Sequence, residues 1–432
     1  MTLETVQAVP HLTTAPLGPL LALESHLLEH QPRIESWFRG QWQETPAPFY
    51  ASVDLRNAGF KLAPVDTNLF PAGFNNMNAA FEALCIQALQ SAMEKVYPTA
   101  TRLLLIPERH TRNLYYMESL ATLRDLLNKA GFEVRIGSLI EGQEETIEVD
   151  LPSGGKVALE PIERRGDKVG VGEFFPCVVL LNNDLSSGRP AILEDLEQPV
   201  IPPLGLGWSN RIKSAHFAHY RGVAEEFADL VDIDPWVIEP LFRNCGEIDF
   251  MEREGEDCLA RNAGALLEAI QAKYDAYGIE HPPFVVMKAE SGTYGMGIMV
   301  VHSVEEVREL NRKQRTRMSK TKEGRSVTKV ILQEGVYSFE SWGEPAEAVA
   351  EPVVYMIDHF VVGGFYRVHT ARGPNENLNA PGMHFEPLAF AEPCNRPDSN
   401  KEPDAGSNRF YAYGVIARLA LLAAARELAE HD

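Results

Sequence analysis

Residues 284–301 read FVVMKAESGTYGMGIMVV. An apolar run closes on Lys288, a loop with three glycines follows, and a second apolar run opens at Ile298. A tight hairpin turn needs about two residues. Here the stretch Ala289 to Gly297 joins two strands that are apolar enough to be buried. The excess length asks for a purpose beyond reversing the chain. The pattern is not a P-loop, because no GxxxxGK[ST] occurs in the chain. It is not a dinucleotide fingerprint either, because the glycines are spaced GxxGxG and a strand follows them, not a helix. A glycine loop between antiparallel strands can fold over a polyphosphate with its backbone N–H groups as donors. Lys288 at its mouth supplies a point charge for the same group. The plainer alternative is a long hairpin with an incidental lysine.

Working outward, the next 100 residues repeat the theme. VILQEGVYSF (330–339) is an apolar strand interrupted at Gln333, Glu334 and Gly335, with Val336 resuming it. An adenine ring needs such an apolar slot beside a backbone donor and acceptor. This makes Ser291, Gly292, Gly295, Gly297, Gln333, Glu334 and Val336, with Lys288, the candidate nucleotide contacts. EPVVYMID (351–358) then places Glu351 and Asp358 at opposite ends of one strand, and Arg367 follows on the return strand after an expected turn at Gly363–Gly364. NENLNAPG (375–382) clusters Glu376, Asn377 and Asn379. Carboxylate and amide oxygens, shared with phosphate oxygens, suit Mg²⁺, so Glu351, Glu376, Asn377 and Asn379 are the candidate metal ligands. Each acid taken singly also reads as a solvated strand end.

The rest of the chain frames this region. Its 432 residues suggest two or three domains with ample core. RLLLIPERHTRNLYYMESLATLRDLLNKAGFEVRIGSL (102–139) predicts strand, helix, strand of the parallel kind, and CVVLLNND (177–184) another buried strand. PVIPPLG (199–205) marks a boundary, giving an N-terminal α/β unit over 1–200 and an antiparallel-leaning α+β unit over 201–432. Helices are expected over 15–44, 79–96, 211–231, 257–277 and 409–430, and one opening at Ser303 with Glu306 completing a capping box. The stretch 49–78, SVDLRNAGFKLAPVDTNLFPAGFNN at its centre, breaks every periodicity and reads as a functional loop. Its polar residues include Arg56, Lys61, Asp66, Asn68, Asn75 and Asn76, candidate ligand contacts of a functional stretch. Satisfying loop backbone is the alternative use of such Asn and Asp residues. Arg211 and Lys213 are weaker candidates for substrate or phosphate contact, and His216 and His219 for metal.

The formal net charge of −21 argues against broad binding of nucleic acid or an anionic membrane surface, so any anion site must be built locally. The five cysteines form no CxxC or zinc spacing and read as reduced structural thiols of a cytoplasmic protein. The N-terminus has no signal-peptide pattern, and the apolar helix near the C-terminus carries Arg418 and Arg426, unlike a membrane span.

The order lysine, glycine flap, interrupted strand, acids, arginine resembles the ATP-grasp superfamily, notably glutathione-synthetase-like ligases, over about 284–382. Arg367 with Asn377-Leu378 matches the RxNL stretch of that group, while its late E-x-N metal pattern has no clean copy here. The blocks SVDLRNAGFKLAPVDTNLFPAGFNN, VVLLNNDLSSG, KAESGTYGMGIMVV and EPVVYMIDHFVVGGFYRVHTARGPNENLNAPGMHF resemble the proteobacterial glutamate–cysteine ligase family across nearly the whole chain. That resemblance implies an ATP-grasp-like core behind a parallel α/β domain, and ATP, glutamate and cysteine as ligands. It further implies Mg²⁺ (or Mn²⁺), an acyl-phosphate route, Lys288 and Arg367 as catalytic groups, and a zwitterionic glutamate met in the 49–78 stretch, with Arg56 or Lys61 for a carboxylate and Asp66 for the ammonium. Another carboxylate–amine ligase, or a nucleotide-binding module without turnover, fits the bare motifs as well. A homo-oligomer is left open.

Overall fold

A computed structural model describes residues 12–13, 19–109, 111–291, 297–319, 326–343, 348–387 and 410–430. Three sheets organise it, and the protein is mixed α/β. The first is mainly parallel. Its strands run in the order Val200–Ile201, Val178–Asn182, Arg102–Pro107, Glu133–Ser138, Lys156–Pro161, Ile147–Asp150, and only the last pair is antiparallel. Val178–Asn182 is buried along its whole length, as expected of a parallel strand covered on both faces. Helix Leu114–Lys129 provides the crossover, opened by Asn113, whose side chain accepts from Tyr116 N–H.

The second sheet is antiparallel and has four strands, in the order Phe242–Asn244, Val330–Glu334, Val285–Ala289, Ile298–Val301. It contains the opening hairpin. Lys288 pairs with Ile298, and Ala289 N–H still reaches Gly297 O at 3.1 Å. The strands therefore stay zipped to the base of the loop, and Gly297 closes it with φ +66°. Gly292 and Gly295 lie outside the described residues.

The third sheet corrects the reading of 49–78. Tyr50–Asn57 and Leu62–Asn68 are an antiparallel hairpin, not an irregular loop. The first of these strands also pairs with Ala348–Ile357, nearly 300 residues away. Both strands are mostly buried, so the alternation that marks a half-exposed strand is missing. This seven-stranded sheet therefore takes strands from both sides of residue 200. A second correction concerns Ala348–Ile357 and Phe360–His369. They turn at Asp358–His359, with Asp358 at φ +51°, and not at the glycine pair. Gly363 and Gly364 lie within the second strand, beside a bulge at Tyr355/Met356. Asp358 is thereby sent to the far end of the strand, where it pairs with Lys95 and His359.

Most helices fall where the periodicity places them, with two breaks, the first dividing 15–44 into Pro19–Glu29 and Gln31–Glu44 at His30. The stretch after Ser303 is two short helices, Val304–Arg308 and Arg312–Met318, not one. Ser303 accepts from Glu306 N–H, but the full capping box belongs to Asn311 and Gln314. Helix Phe410–Ala429 has a fully buried centre and packs on helix Lys213–Val231 and on the Tyr50–Asn57/Leu62–Asn68 hairpin. Arg211 clamps it by a bidentate ion pair to Glu427 at 2.9–3.1 Å, while His216 bonds Glu427 and Thr67. Arg211 and His216 are thus structural, and His219 pairs with Glu430. No helix of the described residues is long and apolar enough to cross a membrane.

Candidate active site

Strand period sets the floor of an open cleft where the second and third sheets meet. Side chains two apart share a face, so Asp54 and Arg56 both point into it, as do Val286 and Lys288 from the neighbouring sheet. Register does the rest. Asp66 stands opposite Asp54, and Glu351 stands opposite Arg367. Arg367 Nη1 donates to Glu351 at 2.5 Å and to Asp54 at 2.9 Å. Arg56 Nε donates to the other oxygen of Glu351 at 3.1 Å, and its Nη atoms reach Val336 O at 3.1 Å and Glu376 O at 2.5 Å. One guanidinium thus ties the floor to the strand exit and to the 375–379 loop.

Two aspartates facing each other repel, and the site answers with cations. Burial raises the Asp54 carboxyl, with Glu351 and Asp66 pushing the same way and Arg367 only partly offsetting them. Asp66 goes the other way. Burial pushes it up, but Lys213, Lys288, Arg211 and His216 outweigh that and hold it ionised below the usual range. Burial works against the charge on Arg367, yet Asp54 and Glu351 together hold its proton more firmly than usual.

Lys288 is 8% exposed. Its Nζ donates to Val65 O and Gln333 Oε1, both at 2.7 Å, and no carboxylate among the described residues pairs with it. Burial, aided by Lys213 and Arg56, pulls its ammonium down to about 8. Two buried donors on residues of this cleft, Gln333 Nε2 and Arg367 Nε, have no hydrogen-bond partner among the described residues. A buried unmet donor costs about 1–3 kcal/mol, so such groups mark places where a ligand acceptor belongs. The opposite wall is apolar: Val286, Ala289, Ile298, Val300 and Val336.

Of the sequence candidates, Lys288, Arg367, Gln333, Glu334, Val336, Arg56, Asp66, Glu351, Glu376, Asn377 and Asn379 line this cleft. Lys61, Asn68, Asn75 and Asn76 do not. Lys61 is 1% exposed and donates to Glu334 at 2.7 Å, 4.2 Å above the Trp236 ring. Glu334 also accepts from Trp236 Nε1 and Leu241 N–H, so its carboxylate is spent on the protein. Asn68 caps the turn at Phe70, and Asn75 and Asn76 sit in a short helical turn and bond each other. Replacing Lys61 by methionine leaves Glu334 buried without its cation. A loss of about 3–5 kcal/mol in unfolding free energy is expected, read by urea denaturation. Ser291 and Gly297 flank the loop base without lining the cleft. Sequence reading missed Asp54, whose signal was its place two residues before Arg56. Lys213 also lines the cleft, with Nζ 3.8 Å above the Trp208 ring.

The donor set suits a hard divalent cation in type: Asp54, Glu351, Glu376, Asn377 and Asn379 all offer oxygen. Some of that capacity is in use. Glu376 accepts from Arg372 and Gly373 N–H, and Asn377 accepts from Asn379 N–H. Among the described residues no His, Cys, Asp or Glu triplet forms a ready metal shell. Mg²⁺ commonly takes only one or two carboxylates plus substrate phosphates, and the unmet charge around Asp54 fits that economy.

A cationic cradle beside a carboxylate-rich floor and an apolar wall suits an enzyme that binds an anionic ligand with an apolar portion. The chain belongs to the glutamate–cysteine ligase family, whose model (GshA) matches residues 24–428. Its activity is that of the family, the ATP-dependent joining of glutamate to cysteine on the way to glutathione. A crystal structure from Methylobacillus flagellatus KT, named "Putative gamma-glutamylcysteine synthetase", is similar at 60% identity and TM-score 0.89, over 99% of this chain and 100% of that one. A glutathione synthetase-like effector from Globodera pallida is far more remote, with 9% identity and TM-score 0.37 over 83% of each chain, and carries no argument. No curated protein matches.

Proposed function

We propose that this cleft carries the ligation through a γ-glutamyl phosphate, with an ATP-grasp-like division of labour. The nucleotide base lies against the apolar wall near Val336. Lys288 and Gln333 Nε2 hold the phosphates. The γ-carboxylate of glutamate attacks the γ-phosphorus of ATP, and the bond to ADP breaks. Arg367, already charged and aimed by Asp54 and Glu351, stabilises the phosphoryl group in flight and then the oxyanion formed when the cysteine amine attacks the carbonyl carbon. The amine loses its proton and phosphate leaves. A divalent cation held by Asp54 and Glu351, with Asn377 and Asn379 near, would neutralise phosphate charge.

The observation that carries the reading is a set of donors on the cleft residues: Gln333 Nε2 and Arg367 Nε, without an acceptor among the described residues, and a buried Lys288 bonded to neutral oxygens with no carboxylate partner among them. ADP release measured with glutamate, with and without cysteine, tests it. Release that depends on cysteine is expected. ADP release indifferent to both amino acids would remove the proposal.

Asp66, ionised and facing Lys213, is assigned the substrate ammonium. Asp66→Asn is expected to raise KM for glutamate about 10-fold or more, the size of a lost charge-assisted bond, while KM for ATP stays within twofold. Steady-state titration of each substrate separates the two.

A further inference from the structure

Thirteen residues apart in sequence, Cys245 and Cys258 are brought together by the fold. Cys245 follows strand Phe242–Asn244, and its N–H bonds Val330 O at 3.3 Å. Cys258 lies in the first turn of helix Glu256–Tyr277. The intervening loop doubles back. Ile248 N–H holds Thr328 O, Asp249 bridges to Glu254, and Gly255 turns at φ +78° where a Cβ would lie 2.7 Å from Glu247 O. Asn262, one turn along the helix from Cys258, donates from Nδ2 to both sulfurs at 3.4 Å and to Cys258 O at 3.1 Å.

We propose that Cys245 and Cys258 form a thiol–disulfide exchange site for low-molecular-weight disulfides, with Cys258 attacking and Cys245 resolving. The geometry divides the roles. Cys258 is partly exposed in the first turn of its helix, within reach of a small disulfide. Cys245 is buried, out of reach of a small molecule but beside its partner. Burial also pushes the Cys245 thiol up to about 11, consistent with a resolving group that acts second. Asn262 supplies one N–H to both sulfurs and so keeps them in register.

The balance is simple. Cys258 thiolate attacks one sulfur of RSSR, the R–S–S–R bond breaks, and RS⁻ leaves. Cys245 then gives its proton to solvent and attacks Cys258 Sγ, expelling the second RS⁻. Two protein thiols are oxidised and one small disulfide is reduced to two thiols. Cystine, the oxidised form of the family's thiol substrate, is the natural probe. The new bond ties the two ends of loop 246–257 together, beside the strand that carries Gln333.

Cystine added to the full-length protein, followed by non-reducing peptide mapping, tests this. The expected product is a Cys245–Cys258 cross-link two hydrogens lighter. Cys245→Ser is expected to trap a cysteinyl adduct on Cys258, whereas Cys258→Ser leaves Cys245 unmodified. Asn262→Leu is expected to slow cross-linking at least 10-fold. Adducts on other cysteines with no Cys245–Cys258 link in the wild type, or equal labelling of Cys245 and Cys258 in the two serine variants, would overturn the proposal. The wild-type map stands even if a variant fails to fold.

Discussion

Replacing Lys288 by methionine is expected to lower kcat/KM for ATP by about 10²–10³, the usual loss for one preorganised donor at a transferring group. Stability should not fall with it. Lys288 is buried without a carboxylate, and its ammonium is pulled down to about 8. Its ordinary value is about 10.5, so between those two pH values the unfolded chain holds a proton the folded one has released. Stability therefore rises with pH across that window, and the cost of the buried charge is fully present below pH 8. Methionine removes that cost, so Tm at pH 7 should hold or increase. The wild type should also lose kcat/KM for ATP as pH rises through about 8, because the free enzyme then discharges the phosphate-binding group. A methionine variant with more than a tenth of wild-type kcat/KM would remove Lys288 from the phosphate site.

Arg367 should fail differently. It bridges Asp54, which is partly exposed, and Glu351, which is buried. Arg367→Ala leaves two carboxylates facing each other with Arg56 on only one of them. A stability loss of about 3–5 kcal/mol is expected from the broken buried pair, together with at least a 10²-fold loss in kcat. Arg367→Lys separates the two effects. A lysine keeps the charge and one nitrogen to sit between the two acids in place of Nη1, but has nothing to replace the delocalised guanidinium or its Nε donor. It should recover most of the stability and little of the rate. Urea denaturation and turnover on the same three proteins read both. Recovery of the rate in step with the stability would make Arg367 a structural residue only.

The features most legible in the sequence are local ones. Lys288 and the glycine loop stand out because a charge at the end of an apolar run, followed by excess loop, is visible in one window. The Glu351–Arg367 pair was legible as two strands in tandem, although Asp358–His359 and not the glycine pair makes their turn. A glycine pair reads as a turn, but here it serves a bulged strand. The hairpin 50–68 was misread because its pattern is set by partners from the far end of the chain. Buried on both faces, it lacks alternation, and its polar residues face a cleft and not water. Asp54 was lost with it. Lys61 was promoted for its charge, but only the fold shows that charge closed off against Glu334 and Trp236. The asparagines were too versatile to place, since an amide that caps a turn and one that reads a substrate look alike in sequence. The Cys245–Cys258 pair was invisible for a related reason: spacing alone does not reveal a loop that doubles back.

The central claim is that glutamate is activated at its γ-carboxylate by phosphoryl transfer in this cleft. Glutamate labelled with ¹⁸O in both γ-carboxylate oxygens, turned over with ATP and cysteine, tests it most directly. The proposed route hands one labelled oxygen to phosphate in every turnover, so each phosphate released should carry one ¹⁸O. Phosphate without label, with γ-glutamylcysteine still formed, would contradict the account.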